Sequence, residues 1–193
     1  VYILSPVGYG TLPNGTWMEV DSWSPELQTG GTRGLRFGGA TPSDTDTIDY
    51  ITAASTGNAA DFGNLSSGRL GCSGGGDNTR GIFYSGYGDP GAAVDRIDFI
   101  TFTSVGNAID FGNAATSRYY NATDAASTTR TISGGGYTSS NSNVIEFVTT
   151  QSAGNGTDFG DLTTARTGVA GSANGTRMIF AGGTDGSNAQ STI

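Results

Sequence analysis

The 193-residue chain has no histidine, no lysine and one cysteine. Without histidine, Ser-His-Asp and Cys-His nucleophile systems are excluded, and so is a histidine metal ligand. Without lysine there is no Schiff-base amine and no phosphate-gripping ammonium. The lone thiol, Cys72, allows neither an internal disulfide nor a cysteine-rich metal site. It reads as a small buried apolar residue. Charge is sparse: all nine basic residues are arginine, and the net charge is −8. That balance lacks the basic stripe of a nucleic-acid binder. No apolar run reaches spanning length and no signal-peptide pattern occurs, so membrane insertion is not expected. No window carries a sustained apolar pattern at helical spacing, so almost no helix is expected.

What the chain does have is glycine, 33 residues of it, and a period. Arg33, Arg80, Arg130 and Arg177 each open a short run that ends in glycine, and they stand 47, 50 and 47 residues apart. A regular period of about 40–50 residues is the mark of a repeat architecture. An alternating strand follows each glycine run: Ile48-Asp49-Tyr50-Ile51-Thr52, Ile97-Asp98-Phe99-Ile100-Thr101 and Ile145-Glu146-Phe147-Val148-Thr149. Fourteen residues after each first isoleucine stands the phenylalanine of Asp-Phe-Gly: Phe62, Phe111 and Phe159. Seven residues later comes a second arginine, Arg69, Arg118 or Arg166. Four short strands per period, punctuated by Gly, Ser, Thr, Asn and Asp, are the expected result.

The termini complement each other. Gln190–Ile193 reads as the approach to another Ile-x-Tyr-Ile strand, and Val1-Tyr2-Ile3 supplies its continuation. Trp17 falls near the phenylalanine position of that period, with Tyr9 as the weaker candidate. Residues 1–193 are therefore expected to form one repeat domain, its repeats starting near 33, 80, 130 and 177, the last completed by 1–32. A ring closed by pairing of the terminal strands is the first solution, since radial repetition leaves few open edges. A head-to-tail polymer and a window cut from a longer array are the others.

Periodic carboxylates precede the phenylalanines (Asp61, Asp110, Asp158) and follow the isoleucines (Asp49, Asp98, Glu146). A catalytic pair need not recur in every repeat, so these are expected to be structural. They would cap turns or pair with Arg33, Arg80, Arg130 and Arg177. The triple glycines at 74–76 and 134–136 open no helix and lack Lys-Ser/Thr, so no phosphate loop is expected. The clusters at 44–46 and 185–188 lack the spacing and terminal glutamate of a helix-loop-helix calcium site. No cofactor or metal is expected.

The order Arg-x-Gly, strand, Gly-Gly, alternating strand, aromatic resembles the kelch repeat. Gly38-Gly39, Gly135-Gly136 and Gly182-Gly183 match its double glycine, and the second period has Ser85-Gly86 instead. Phe62, Phe111 and Phe159 stand where kelch blades usually carry tryptophan. The wording Ile-Asp-Tyr-Ile-Thr…Gly-Asn-Ala-x-Asp-Phe-Gly-Asn-Leu, at 48–65 and again at 97–113 and 145–162, is similar to repeats of virion structural and tail-fibre proteins of aquatic tailed phages, cyanophages especially. The resemblance implies an all-β, kelch-like β-propeller and a non-enzymatic, structural or adhesive role in a phage tail, fibre or appendage. It implies a virion or extracellular location. Its partners would be other virion proteins, copies of itself, or a host cell-surface glycan or protein.

The inter-blade loops around 41–46, 89–95, 139–143 and 185–190 vary most between periods, and variable loops on a rigid frame are the usual place for binding. Candidate recognition residues are Thr41, Asp44, Asp46, Asp89, Asp95, Asn141, Asp185 and Asn188. Two other readings stay open: a subunit of an extracellular filament built by end-to-end strand exchange, and a propeller hydrolase or lyase.

Overall fold

A computed structural model describes residues 2–4, 17–19, 33–125, 127, 129–191 and 193. No helix occurs among them, and every strand ladder is antiparallel. The all-β expectation is met.

Strands β1 (Tyr2–Leu4) and β2 (Trp17–Glu19) pair with each other. The first repeat follows as a three-stranded sheet of β3 (Arg33–Phe37), β4 (Thr47–Thr52) and β5 (Ala60–Asn64). The second is built from β6 (Arg69–Leu70), β7 (Ser73–Gly76), β8 (Arg80–Gly88), β9 (Ala92–Thr101) and β10 (Ile109–Asn113). The third runs β11 (Ala122–Ala125), β12 (Arg130–Gly134), β13 (Val144–Thr149) and β14 (Thr157–Asp161) in simple meander order. A two-stranded sheet, β15 (Ala170–Ala173) with β16 (Met178–Ala181), begins the fourth. Tyr9 and Val1 lie outside the described residues.

The recurring motifs have distinct local jobs. In each Asp-Phe-Gly the ladder slips, so that Phe62, Phe111 and Phe159 are the bulged residues. A bulge re-aims a side chain. Here it sets the phenylalanine edge-to-face on the aromatic of the neighbouring strand: Tyr50–Phe62 at 5.9 Å, Phe99–Phe111 at 5.7 Å and Phe147–Phe159 at 6.1 Å between centroids. The double glycines end the second strand with φ of +60° and +110° at 38–39 and +68° and +107° at 135–136. Side-chain-bearing residues rarely adopt that backbone. Ser85 nevertheless takes φ +53° in the second repeat.

The core lies between adjacent sheets. Ile48, Phe62 and Leu65 of the first repeat pack against Phe83 and Ile100 of the second. Ile82, Tyr84, Ile97 and Phe111 of the second pack with Val148 of the third. Alternation along the strands supplies these inward faces. Strands β7, β11 and β15 of successive sheets also meet directly. Ser73 Oγ and Thr123 Oγ1 are 2.6 Å apart, joining β7 to β11, and the Ala173 amide donates to Asp124 Oδ2 at 2.9 Å, joining β15 to β11.

The last strands of the first two sheets, β5 and β10, meet the next sheet through its Ser-x-Gly-Asn loop. Gly106 N donates to Phe62 O and Ala108 N to Asn64 O, both at 2.8 Å, while Asn107 Oδ1 accepts from Asn64 N at 3.1 Å. The next junction repeats the set: Gly154 N to Phe111 O at 2.8 Å, Gly156 N to Asn113 O at 2.7 Å, and Asn113 N to Asn155 Oδ1 at 3.0 Å. The loop of one repeat thus caps the strand edge of the repeat before it, which removes an open edge.

Candidate functional site

Two arginine sets organise the interior, in different ways. Arg69 opens β6, Arg118 lies in the connection before β11, and both are fully buried. Arg118 Nη2 donates to Glu146 Oε1 at 2.7 Å, Nη1 donates to Val144 O at 2.9 Å, and Glu146 Oε2 accepts from the Ala115 amide at 2.7 Å. Burial pushes the Glu146 carboxyl up and the Arg118 guanidinium down from their ordinary values, and their mutual attraction opposes both. Arg69 Nη2 approaches Asp98 Oδ2 at 3.0 Å but not along an N–H direction. Ser66 supplies the aligned hydrogen bonds to Asp98: its hydroxyl lies 2.7 and 2.8 Å from the two oxygens and its amide donates at 3.2 Å. Arg166 holds the corresponding place in the fourth repeat and donates to Phe180 O at 3.3 Å and Gly182 O at 3.2 Å.

The pairing expected for the periodic acids is therefore corrected. Asp98 and Glu146 pair with Arg69 and Arg118, not with the arginines that open the glycine runs. Asp49 alone meets a residue of its own strand pair, Arg36, at 3.7 Å on the surface. Arg33, Arg80 and Arg130 instead lie over rings: 4.8 Å from Tyr50, 4.8 Å from Phe99 and 4.3 Å from Phe147. Such stacking fits a half-exposed guanidinium. Two of them also reach the next repeat, Arg33 donating to Phe102 O and Arg80 to Thr150 O.

A third bridge between repeats is made by Asp77. It accepts from the Thr79 and Arg80 amides, each at 2.8 Å, and from the Gln151 side chain of the following repeat. Burial pushes its carboxyl up, but the Arg80 and Thr79 amides, the Thr79 hydroxyl and Gln151 together hold it below its ordinary value.

Thr41, Asp44 and Asp46 lie between β3 and β4, Asp89 between β8 and β9, Asp95 inside β9, Asn141 between β12 and β13, and Asp185 and Asn188 after β16. These loops join strands of one sheet, as at β3–β4, β8–β9 and β12–β13, which corrects their expected place between blades. Thr41, Asp44, Asp89, Asp185 and Asn188 are exposed. Ser43, Asp44, Asp89 and Gly91 line one shared surface depression, so the first two hairpins come together. Asn141 and Asp185 belong to a second pair, in which Asn141 Nδ2 donates to Thr184 O at 3.3 Å. Asp185 accepts from the Ser187 and Asn188 amides at 2.8 Å, and these bonds hold its carboxyl low. Asp46 and Asp95 are half-buried, and their carbonyls accept from Leu65 N and Ala114 N at 2.6 Å. Those two belong to the frame more than to the surface. Cys72 is partly buried beside Gly38, its Sγ 4.0 Å from Phe37 O.

Sequence reading missed one group on the same end. Tyr87, Tyr119, Tyr120 and Tyr137 converge between the second and third repeats, with Tyr119 5.3, 5.0 and 5.6 Å from the other three ring centroids. The signal was present in the period: Arg69-Leu70-Gly71 and Arg166-Thr167-Gly168 correspond to Arg118-Tyr119-Tyr120. No cluster of three or more Cys, Asp or Glu groups that could hold a metal occurs among the described residues, nor does any helix long and apolar enough to cross a membrane.

No family model matches the chain, and no curated protein matches it. Solved structures do match. One titled "Structure of YjhT" superposes with a TM-score of 0.63 at 14% identity, over 76% of this chain. The match spans 47% of that chain's length, about half of it. At this identity the likeness is one of fold.

Proposed function

We propose that the chain is a four-repeat, kelch-like β-propeller, its ring closed by the N- and C-terminal strands. Its role is that of a non-enzymatic, structural or adhesive protein of a phage tail, fibre or related appendage, at the virion surface or outside the cell. The observation that carries this reading is how the recurrent charged groups are used. Arg69, Arg118, Asp98, Glu146 and Asp77 each hold one strand or repeat against another. What differs between repeats is concentrated in the hairpins at one end, as on other repeat scaffolds that bind through loops. Close inner strands, with outer strands joined only through loops, support a radial arrangement. β1 and β2 would supply the outer half of the fourth blade beside β16. The phage assignment rests on the repeat wording.

The test is adsorption of fluorescently labelled protein to a panel of aquatic bacteria, cyanobacteria included. Asp89→Ala and Asp185→Ala should lower adsorption about ten-fold, a loss of about 1.4 kcal/mol, with the melting temperature unchanged. Adsorption to no strain would remove the adhesive part of the reading.

A filament is the second reading, and one observation favours it. Phe62 and Phe111 are 2–3% exposed, whereas Phe159, their counterpart, is 52% exposed. The Ser55–Ala59 loop, which corresponds to the loops that cap Phe62 and Phe111, is exposed too. Copies joined by that contact would lose association on Gly160→Arg, read as native mass.

A further inference from the structure

The repeat itself separates scaffold from function. A residue type that the frame needs should recur at the same place in each period. At the place held by Leu70 and Thr167 the third repeat has Tyr119, and at the place held by Gly71 and Gly168 it has Tyr120. Where the first and fourth repeats have Ala40 and Thr184, each bridged across its own hairpin, it has Tyr137. Tyr87 comes from the part of β8 that extends past the Ser85-Gly86 bulge, a lengthened hairpin found only in the second repeat among the described ones. Four of the chain's eight tyrosines thus gather at one junction.

One of them is there at a conformational cost. Gly71 and Gly168 have φ of +62° and +65°, and Tyr120 is held at +55°. For a bulky side chain that backbone is an outlier, about 1–2 kcal/mol above the ordinary conformations. Its amide donates to Gly71 O at 2.7 Å and its carbonyl accepts from Gly168 N at 3.0 Å, so the frame pins the residue there. The residue is nevertheless 49% exposed, so core burial does not account for it. Strain maintained at an exposed aromatic marks a working surface.

The chemistry around the rings narrows the ligand. Beside Tyr137 runs Thr138-Ser139-Ser140-Asn141-Ser142-Asn143, six residues with hydroxyl or amide side chains and no charge. Phenol, hydroxyl and amide groups donate and accept equally, and rigid rings offer flat area at little entropic cost. The protein carries net charge −8, which disfavours an anionic ligand. We infer that the Tyr87–Tyr119–Tyr120–Tyr137 cluster, with the 138–143 hairpin, binds a neutral carbohydrate: a pyranose face on the exposed ring, its hydroxyls on the hairpin. This deepens the adhesive reading and rests on it.

The experiment uses the full chain on an array of neutral gluco-, galacto-, manno- and N-acetylglucosamino-oligosaccharides, beside uronate and sulfated ones and an unglycosylated protein surface. Wild type should be retained on at least one neutral series. Tyr120→Gly should cut that binding about ten-fold or more, while its melting temperature rises by about 2–4 °C because strain is relieved. Tyr119→Leu should cut binding as well. Retention unaffected by Tyr120→Gly, retention on acidic glycans or on protein alone, or no retention on any neutral series overturns the inference. If wild type adsorbs to cells and Tyr120→Gly adsorbs equally, the tyrosine site fails and the adhesive reading stands. If wild type adsorbs to no cell, that reading fails first.

Discussion

Arg118 Nη2 lies 2.7 Å from Glu146 Oε1, with both side chains cut off from solvent. The pair ties the connection between two repeats to the third strand of the one it opens. Removing either partner strands a buried charge, which costs about 3–5 kcal/mol. Glu146→Ala and Arg118→Ala should each lower stability by that amount in urea titrations. Replacing both by Met and Leu should recover most of the loss, because the stranded charge goes with its partner.

The two buried pairs are not interchangeable. In the second repeat a short acid, Asp98, meets the Ser66 hydroxyl. In the third a longer acid, Glu146, reaches past Ala115 to its amide. Acid length and the residue facing it therefore compensate. Asp98→Glu alone should be destabilising, and Asp98→Glu with Ser66→Ala less so. A double-mutant cycle should return a coupling of about 1 kcal/mol or more; additive effects would mean the two positions are independent.

Ser85 sits at φ +53° with its hydroxyl buried and unpaired, where the other repeats use glycine. Ser85→Gly removes an unfavourable backbone conformation and an unsatisfied oxygen. It should raise stability by about 1 kcal/mol. Thermal unfolding checks this, and a loss would show that the hydroxyl has a partner.

A methyl group at Gly112 would stand 2.5 Å from Gly154 O of the following repeat, whereas one at Gly160 meets no described residue within 4 Å. Both glycines share the same backbone conformation, φ +144° and +139°. The two alanine variants therefore differ only in the neighbouring repeat. A ring closed by β1 and β2 would cap Gly160 as Gly154 caps Gly112, so both variants should lose a similar unfolding free energy, about 1–3 kcal/mol each. A cost at Gly160 smaller than that at Gly112 by the same amount would mean that no repeat packs there and would contradict closure.

Asp77 accepts from two amides and from Gln151, and its carboxyl is held below the ordinary 3.8. A depressed folded value contributes stability that is present above 3.8 and is lost as pH falls through the lower folded value. The stability of wild type should therefore fall more steeply below pH 3.8 than that of Asp77→Asn, while above it wild type is the more stable. Guanidinium midpoints across pH 2–6 read this directly, at about the range where the carboxylates titrate.

Much of the architecture could be read from the chain before any coordinates. Strand positions and the role of the double glycines follow from spacing and turn chemistry, which are local properties. The pairing of charges did not follow. Asp98 and Glu146 choose Arg69 and Arg118 because the connection between repeats folds back under the third strand, a tertiary path that leaves no mark in linear spacing. The candidate recognition residues were expected between blades, and their loops instead join strands of one sheet, as at β3–β4, β8–β9 and β12–β13. That Asp46 and Asp95 serve the frame through their carbonyls depends on backbone bonds that side-chain identity does not encode. The tyrosine junction was legible, but only by aligning the periods against one another and asking which positions break the rule.

The most direct test of the account is the shape and mass of the purified chain in solution, by light scattering coupled to size exclusion with small-angle X-ray scattering on the same fractions. A ring closed within one molecule predicts the mass of one 19.6 kDa chain and a radius of gyration of about 16 Å, that of a compact domain of this length. Open-ended oligomers, or a monomer markedly more extended than that, would contradict closure and place the joining of repeats between molecules.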